Sequence, residues 1–116
     1  MIQIAIPTYK RIYKLNKLLD NLLPEIKKFG DIFSVMVVDN DPEELLDLPL
    51  QIDRLALQYG VPIKYYRNSY NLGGSGNVVR CLELADSQWI WLLGDDDLVR
   101  NESLKFLICY LESLGS

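Results

Sequence analysis

The sequence predicts an α/β fold, with about four parallel strands in a Rossmann-like sheet and helices on both faces. Three observations predict it. Short, continuous apolar runs alternate with stretches whose apolar residues recur every three or four positions. The runs are about strand length and several are β-branched, as suits strands buried on both faces. Polar residues gather where the runs end, the edge at which parallel sheets bind ligands.

Ile2–Ile6 is the first run and stops at Pro7. Ile12, Leu15, Leu18, Leu19, Leu22, Leu23 and Ile26 then keep helical spacing, and Pro24 is expected to kink or divide that helix. Phe33–Val38 is a valine-rich strand ending at Asp39. Asp41-Pro42-Glu43-Glu44 reads as a loop or a helix start. Ile52, Leu55, Ala56 and Tyr59 return to helical spacing, with Gly60 as C-cap. Val61–Tyr66 contains a third strand, and Asn68–Gly76 is a glycine- and asparagine-rich loop. Val78, Val79, Leu82 and Ala85 suit one face of a third helix. Trp89–Leu93 is the fourth strand; its tryptophans alternate with Ile90, placing at least one in the core and leaving the other for the ligand face. Asn101 is expected to cap a last helix carrying Leu104, Leu107, Ile108 and Leu111.

Strict alternation of strand and helix implies a parallel sheet with right-handed crossovers. No repeat, low-complexity tract or linker divides the chain, so residues 1–116 read as a single domain. Half the residues are apolar, enough for a real core. The net charge of −4 excludes a general nucleic-acid binder, which needs a basic face. No apolar run approaches the roughly 20 residues of a membrane span. The N-terminus lacks the basic region and cleavage site of a secretory signal, so a cytoplasmic location is expected. Cys81 and Cys109 form no metal-type cluster and sit in apolar helical patterns, where buried thiols are common.

Histidine is absent. That removes the usual Ser-His-Asp and Cys-His arrangements and disfavours zinc. A metal would be held by carboxylate oxygens, which suits Mg²⁺, Mn²⁺ or Ca²⁺. The obvious donors are Asp95, Asp96 and Asp97, directly after the fourth strand. Adjacent carboxylates repel one another, and a divalent cation bridging them to a diphosphate would remove that cost. Gly94 lets the chain turn and a ligand approach closely. Alone, such a tetrad is equally a solvated turn with Asp97 or Asn101 capping the next helix. Its place beside two other polar strand ends, Pro7-Thr8-Tyr9 and Asp39-Asn40-Asp41, favours a site.

The remaining candidates each have a plain alternative. Asn71-Leu72-Gly73-Gly74-Ser75-Gly76-Asn77 precedes a helix, whose exposed N–H groups favour anions. It lacks the P-loop ending and dinucleotide-type glycine spacing, and would equally be a flexible connection capped by Ser75 or Asn77. Asp39 and Asn40 could bond a base or ribose, or simply form the turn before Pro42. Thr8 could cap the first helix. Arg11 and Arg80 could meet phosphate or remain surface charges.

Taken together, Ile4-Ala5-Ile6-Pro7-Thr8-Tyr9-Lys10-Arg11, Val37-Val38-Asp39-Asn40, Asn71-Leu72-Gly73-Gly74-Ser75-Gly76 and Trp91-Leu92-Leu93-Gly94-Asp95-Asp96-Asp97 resemble the family 2 glycosyltransferases of the GT-A fold. The pieces occur in the family's order and cover nearly the whole chain. The resemblance implies a nucleotide-diphospho-sugar donor, with UDP- or dTDP-sugars expected. Pro7, Thr8, Tyr9, Asp39 and Asn40 would cradle base and ribose, with Arg11 toward phosphate. The Asn71–Gly74 loop, with Asn71 and Gly73 foremost, would lie near the nucleotide. Asp95, Asp96 and Asp97 would match the family's Asp-x-Asp motif. Asp95 and Asp96 would touch the nucleotide, and Asp97, helped by Asp95 or Asp96, would hold Mn²⁺ or Mg²⁺ as a Lewis acid. The family often has aspartate where this chain has Gly94, so the register of the motif is open by one residue.

The family's acceptor site and general base lie downstream of Asp-x-Asp, so no catalytic base is expected within 1–116. The chain reads as the donor-binding part of a truncated, inverting enzyme acting on a saccharide or lipid-linked saccharide acceptor. Its open apolar flank suggests self-association. The alternative is a non-catalytic nucleotide-binding or regulatory module of the same fold. A nucleotidyltransferase would show a basic, glycine-rich loop after the first strand, and a phosphoacceptor domain would show carboxylates there. Neither is present.

Overall fold

The computed structural model describes residues 1–43, 47–100 and 102–114. Among them, strands β1 (Ile2–Thr8), β2 (Phe33–Asp39), β3 (Ile63–Arg67) and β4 (Trp89–Leu92) alternate with helices α1 (Ile12–Lys27), α2 (Leu48–Tyr59), α3 (Gly73–Leu84) and α4 (Ser103–Ser113). All strand pairs are parallel, in the order β3-β2-β1-β4. The chain winds outward from β1 to β3 and then returns to the other side of β1. The order therefore reverses between β1 and β4, and a crevice opens at their carboxyl ends.

Period-2 alternation divides the core. Ile2, Ile4, Ile6, Val35 and Val37 face α1, α2 and α4. Ala5, Met36 and Val38 face α3 through Cys81 and Leu84. All six apolar residues of the α1 stripe from Leu15 to Ile26 are buried. Pro24 does not divide the helix. It lies on the exposed side, where the carbonyl left without an intrahelical donor can meet water. Gly60 closes α2 at φ 68°, the left-handed C-cap expected of it.

Besides that of Pro24, four expectations change. β1 continues through Pro7 to Thr8. Ala5 O accepts from Leu93 on the β4 side, while Thr8 O accepts from Asn40 on the β2 side. Pro7 shares Ala5's orientation, so its missing N–H faces the side where β4 has ended. Second, α3 begins at Gly73, so half the expected loop is helix. Its buried residues are Asn77 and Cys81, while Val79 and Leu82 are 56% and 49% exposed. Small and polar side chains, not the valines, let α3 approach the sheet. Third, Trp89 and Trp91, being two apart, share a face and both pack on the main core. Neither reaches the ligand edge. Fourth, of the two thiols, Cys81 is buried but Cys109 is exposed. The Asn101 cap and the Glu44 end of the Asp41 loop lie outside the described residues.

Candidate functional site: an acidic cleft at the switch point

A cleft of about 410 Å³ lies over the carboxyl ends of β1 and β4, lined by Pro7, Thr8, Tyr9, Arg11, Asn40, Gly74, Asn77, Gly94, Asp95 and Asp96. That volume falls within the range of small-ligand sites. A cavity of about 500 Å³ at the opposite, amino edge of the sheet is lined by Met1, Ile26, Lys27, Phe33 and Val61 among others. It has no comparable convergence of polar strand ends.

Thr8 ends β1 and donates its hydroxyl to Asp95 Oδ2 at 2.8 Å. It therefore does not cap α1, whose cap position is Arg11 with no side-chain cap bond. Lys10 takes a left-handed conformation, φ 53°, in the turn between Tyr9 and Arg11. Arg11 Nη1 then stands 3.4 Å from Asp95 Oδ1 and 3.8 Å from Asp96 Oδ2. Asp95 is buried with both oxygens engaged, while Asp96 is exposed on the cleft wall. Asp97 is exposed and does not line the cleft. Its Oδ2 accepts the Gly94 N–H at 2.9 Å. A Cβ on Gly94 would meet that oxygen at 2.9 Å and Asp96 Oδ1 at 3.3 Å, so a larger residue there would push both carboxylate ends aside.

Asp39 lies behind the cleft. Its Oδ2 accepts the Tyr65 hydroxyl at 2.8 Å and its Oδ1 the Asp41 N–H at 3.0 Å. Burial raises its carboxyl above the ordinary range, against the lowering effect of those two bonds. Asp39 thus also forms the turn before Pro42, and Asp41 repeats the pattern with the Glu43 N–H.

Asn40 is buried and fully bonded. Its Nδ2 donates to Asn71 Oδ1 at 2.8 Å and to Gly73 O at 3.3 Å, and its Oδ1 accepts from Leu72 N and Asn68 Nδ2, both at 2.9 Å. Those bonds use two donors and two acceptor sites, the whole capacity of an amide. Asn71 and Gly73 are exposed, outside the cleft wall, and tied to it through Asn40. Arg80 pairs with Glu83 at 3.7 Å on α3 and takes no part in the cleft.

Gly74, at the end of the loop expected near the nucleotide, does line the cleft; sequence reasoning did not select Asn68, nor Asn77 as a cleft residue. Asn77 stood in the sequence only as the end of the glycine loop and a possible cap, whereas it lies inside α3, whose cap position is Leu72 with no side-chain cap bond.

Among the described residues, no three acidic or thiol side chains converge on one point. Asp96 offers an exposed carboxylate, and Asp97 keeps its second oxygen beside the Gly94 bond. Hard cations such as Mg²⁺ bind through one or two carboxylates, with phosphate and water completing the shell. The residues present fit that pattern.

A doubly wound parallel sheet with an oxygen-lined, acidic cleft at its switch point defines a nucleotide-binding type of α/β domain. The chain belongs to glycosyl transferase family 2, whose sequence profile matches residues 3–116. It is 33% identical over 117 residues to abequosyltransferase RfbV of Salmonella typhimurium, covering 97% of this chain and 33% of that protein. The chain spans about a third of the length of the curated relatives it matches. Its fold matches S. aureus TarS in a crystal structure in complex with UDP, with 24% identity and a TM-score of 0.66, covering 97% of this chain and 32% of that one. It also matches mannosyltransferase PcManGT of Pyrobaculum calidifontis in complex with GDP-Man and Mn²⁺, with 18% identity and a TM-score of 0.77, covering 95% and 32%. The sheet and its covering helices thus have the GT-A architecture. Among the described residues, no helix is long and apolar enough to cross a membrane.

Proposed function

We propose that this chain forms the donor-binding part of a glycosyltransferase that uses a nucleotide-diphospho-sugar with Mn²⁺ or Mg²⁺. The observation that carries this reading is the cleft itself: Thr8, Arg11, Asp95 and Asp96 brought together at the switch point of a family 2 chain. The UDP and GDP-Man complexes of the two structural neighbours support a nucleotide sugar as ligand.

In this reading Pro7, Thr8 and Tyr9 cradle the base and ribose, and Asp39, buried behind them, meets the base with an oxygen that Tyr65 or the Asp41 N–H gives up. Asp39 only accepts hydrogen bonds when ionised, which suits a base that presents an N–H, such as uracil or thymine. Asp95 orients Thr8 and Arg11, and the guanidinium can turn from the carboxylates toward phosphate. Asp96 and Asp97 are the residues that would hold the metal. Asp95, expected as a second ligand, could join them only by giving up its contact with Arg11. When bound, the metal supplies Lewis-acid stabilisation of the departing diphosphate. The only carboxylates on the cleft wall among the described residues are Asp95 and Asp96, both already assigned. Acceptor activation is therefore assigned to a segment outside the described cleft.

The test is thermal denaturation with UDP, dTDP and GDP, each with and without Mn²⁺. Ligand at about 100 times its Kd stabilises by about 2.7 kcal/mol, a rise on the order of 10 °C for a domain of this size. Asp96→Ala and Asp97→Ala should each remove most of the metal-dependent part. The absence of a shift with all three nucleotides would overturn the assignment.

A further inference from the structure

A chain of buried asparagines runs from the cleft wall into the sheet. Asn40, Asn68 and Asn77 are 2%, 6% and 3% exposed. Asn77 Nδ2 donates to Val38 O of β2 at 3.1 Å, and its Oδ1 accepts from Asn68 Nδ2 at 2.8 Å. Asn68 Nδ2 donates its other hydrogen to Asn40 Oδ1, and its backbone N–H bonds Asp39 O at 2.9 Å. Asn40 then holds Leu72 N–H, Asn71 Oδ1 and Gly73 O. Asn71 Oδ1 closes the path on Gly73 N–H at 2.9 Å.

The path runs without a break from the carboxyl end of β2 to the first residue of α3. That helix start has little else to define it. It opens Gly73-Gly74-Ser75-Gly76 and has no side-chain N-cap. Glycine is a poor helix former, because it gives up the most backbone freedom on ordering. Gly73 is left-handed at φ 77°. Yet Gly74 and Asn77 form part of the cleft wall, so the position of this turn shapes the site. Buried amides are costly unless fully bonded, and a fully bonded network favours one arrangement.

We propose that Asn68 and Asn77 are positioning residues for donor binding, which fix the first turn of α3 against the cleft through the saturated amide of Asn40. The proposal rests on the donor-binding reading above. It also changes the part played by Asn40, which acts through the turn rather than by touching the nucleotide with its own amide.

The experiment measures two things in the full chain: hydrogen exchange of the Leu72 and Gly73 amides, and affinity for UDP with Mn²⁺ by calorimetry. The variants are Asn68→Ala and Asn77→Ala. Ile26→Val, in the core at the far end of α1, is the control for a general loss of stability. Both asparagine variants should lose protection at Leu72 and Gly73 and bind at least tenfold more weakly, while the control does neither. Asparagine variants that fold and bind like the wild type would overturn the proposal, as would retained protection of the two amides. If Asn68→Ala does not fold, Asn77→Ala asks the same question one link away. Failure of the wild type to bind UDP, dTDP or GDP overturns the donor reading and the proposal with it. Wild-type binding with unchanged variants overturns the positioning role alone.

Discussion

At the scale of single residues, four neighbouring carboxylates occupy four different situations. Asp95 is buried and bonded by Thr8 and Arg11. Asp96 is exposed on the cleft wall, and Asp97 closes on its own turn through Gly94. Asp39 is buried behind them, with its carboxyl raised mainly by loss of solvent. Below the ordinary value of 3.8, the Asp39 carboxyl is protonated in both folded and unfolded chains and contributes no difference. Above its raised folded value it is ionised in both, and the cost of burying that charge is fully present. Wild-type protein should therefore gain stability relative to Asp39→Asn as pH falls through the folded value toward 3.8. Urea unfolding of the two proteins across that range measures the difference, and a flat or opposite trend would contradict a burial-raised carboxyl. These distinctions were only partly legible in the sequence. The place of each aspartate after an apolar run was visible there. Which oxygen is engaged depends on contacts such as Thr8 with Asp95, made across 87 positions of the chain, and no local pattern encodes them.

Among the elements, α3 carries most of the difference between expectation and structure. Its helical period was legible from the apolar residues, but its phase was not. Counting apolar residues chose Val78, Val79, Leu82 and Ala85, whereas the interior is reached by Asn77 and Cys81. An asparagine can face inward only when its amide is satisfied, and its partners Asn68 and Val38 O come from two other segments. The glycines of the first turn also separate into kinds. A Cβ on Gly74 would meet nothing within 4 Å, while one on Gly76 would meet Leu72 Cβ at 2.8 Å. Gly74→Ala should therefore stabilise the protein by up to about 1 kcal/mol through helix propensity. Gly76→Ala should lower stability, because Leu72 N is held by Asn40 and cannot easily withdraw. Thermal melts of the two variants decide this; equal effects would show that Leu72 is not fixed. Since Gly74 lines the cleft, its alanine variant should also weaken nucleotide binding while raising the melting temperature, a separation of stability from function at one position.

For the whole molecule, the strand–helix alternation sufficed to anticipate a parallel sheet with polar strand ends on one edge, because crossover handedness leaves few other arrangements. The two edges of that sheet are unequal. β3 carries Lys64 and Arg67, charges of the kind that discourage strand addition. β4 reads Trp-Ile-Trp-Leu, has no charged residue, and has no strand on its outer side among the described residues. Ile90 and Leu92 are exposed on the face that α3 covers only in part, and Val79 and Leu82 of α3 are exposed as well. An apolar strand edge beside exposed aliphatic side chains favours association. The 116-residue chain should therefore show a sedimentation coefficient that rises with concentration. Ile90→Lys should shift it toward the monomer value, because a buried, unpaired ammonium at that contact is costly. Ile90 is not among the residues lining the cleft, so the variant should keep the thermal shift produced by UDP and Mn²⁺. A wild-type chain that sediments as a monomer at every concentration would refute association through this edge. Dimers unaffected by Ile90→Lys would instead assign the contact to another surface, with the exposed Phe106 and Tyr110 of α4 the next to substitute.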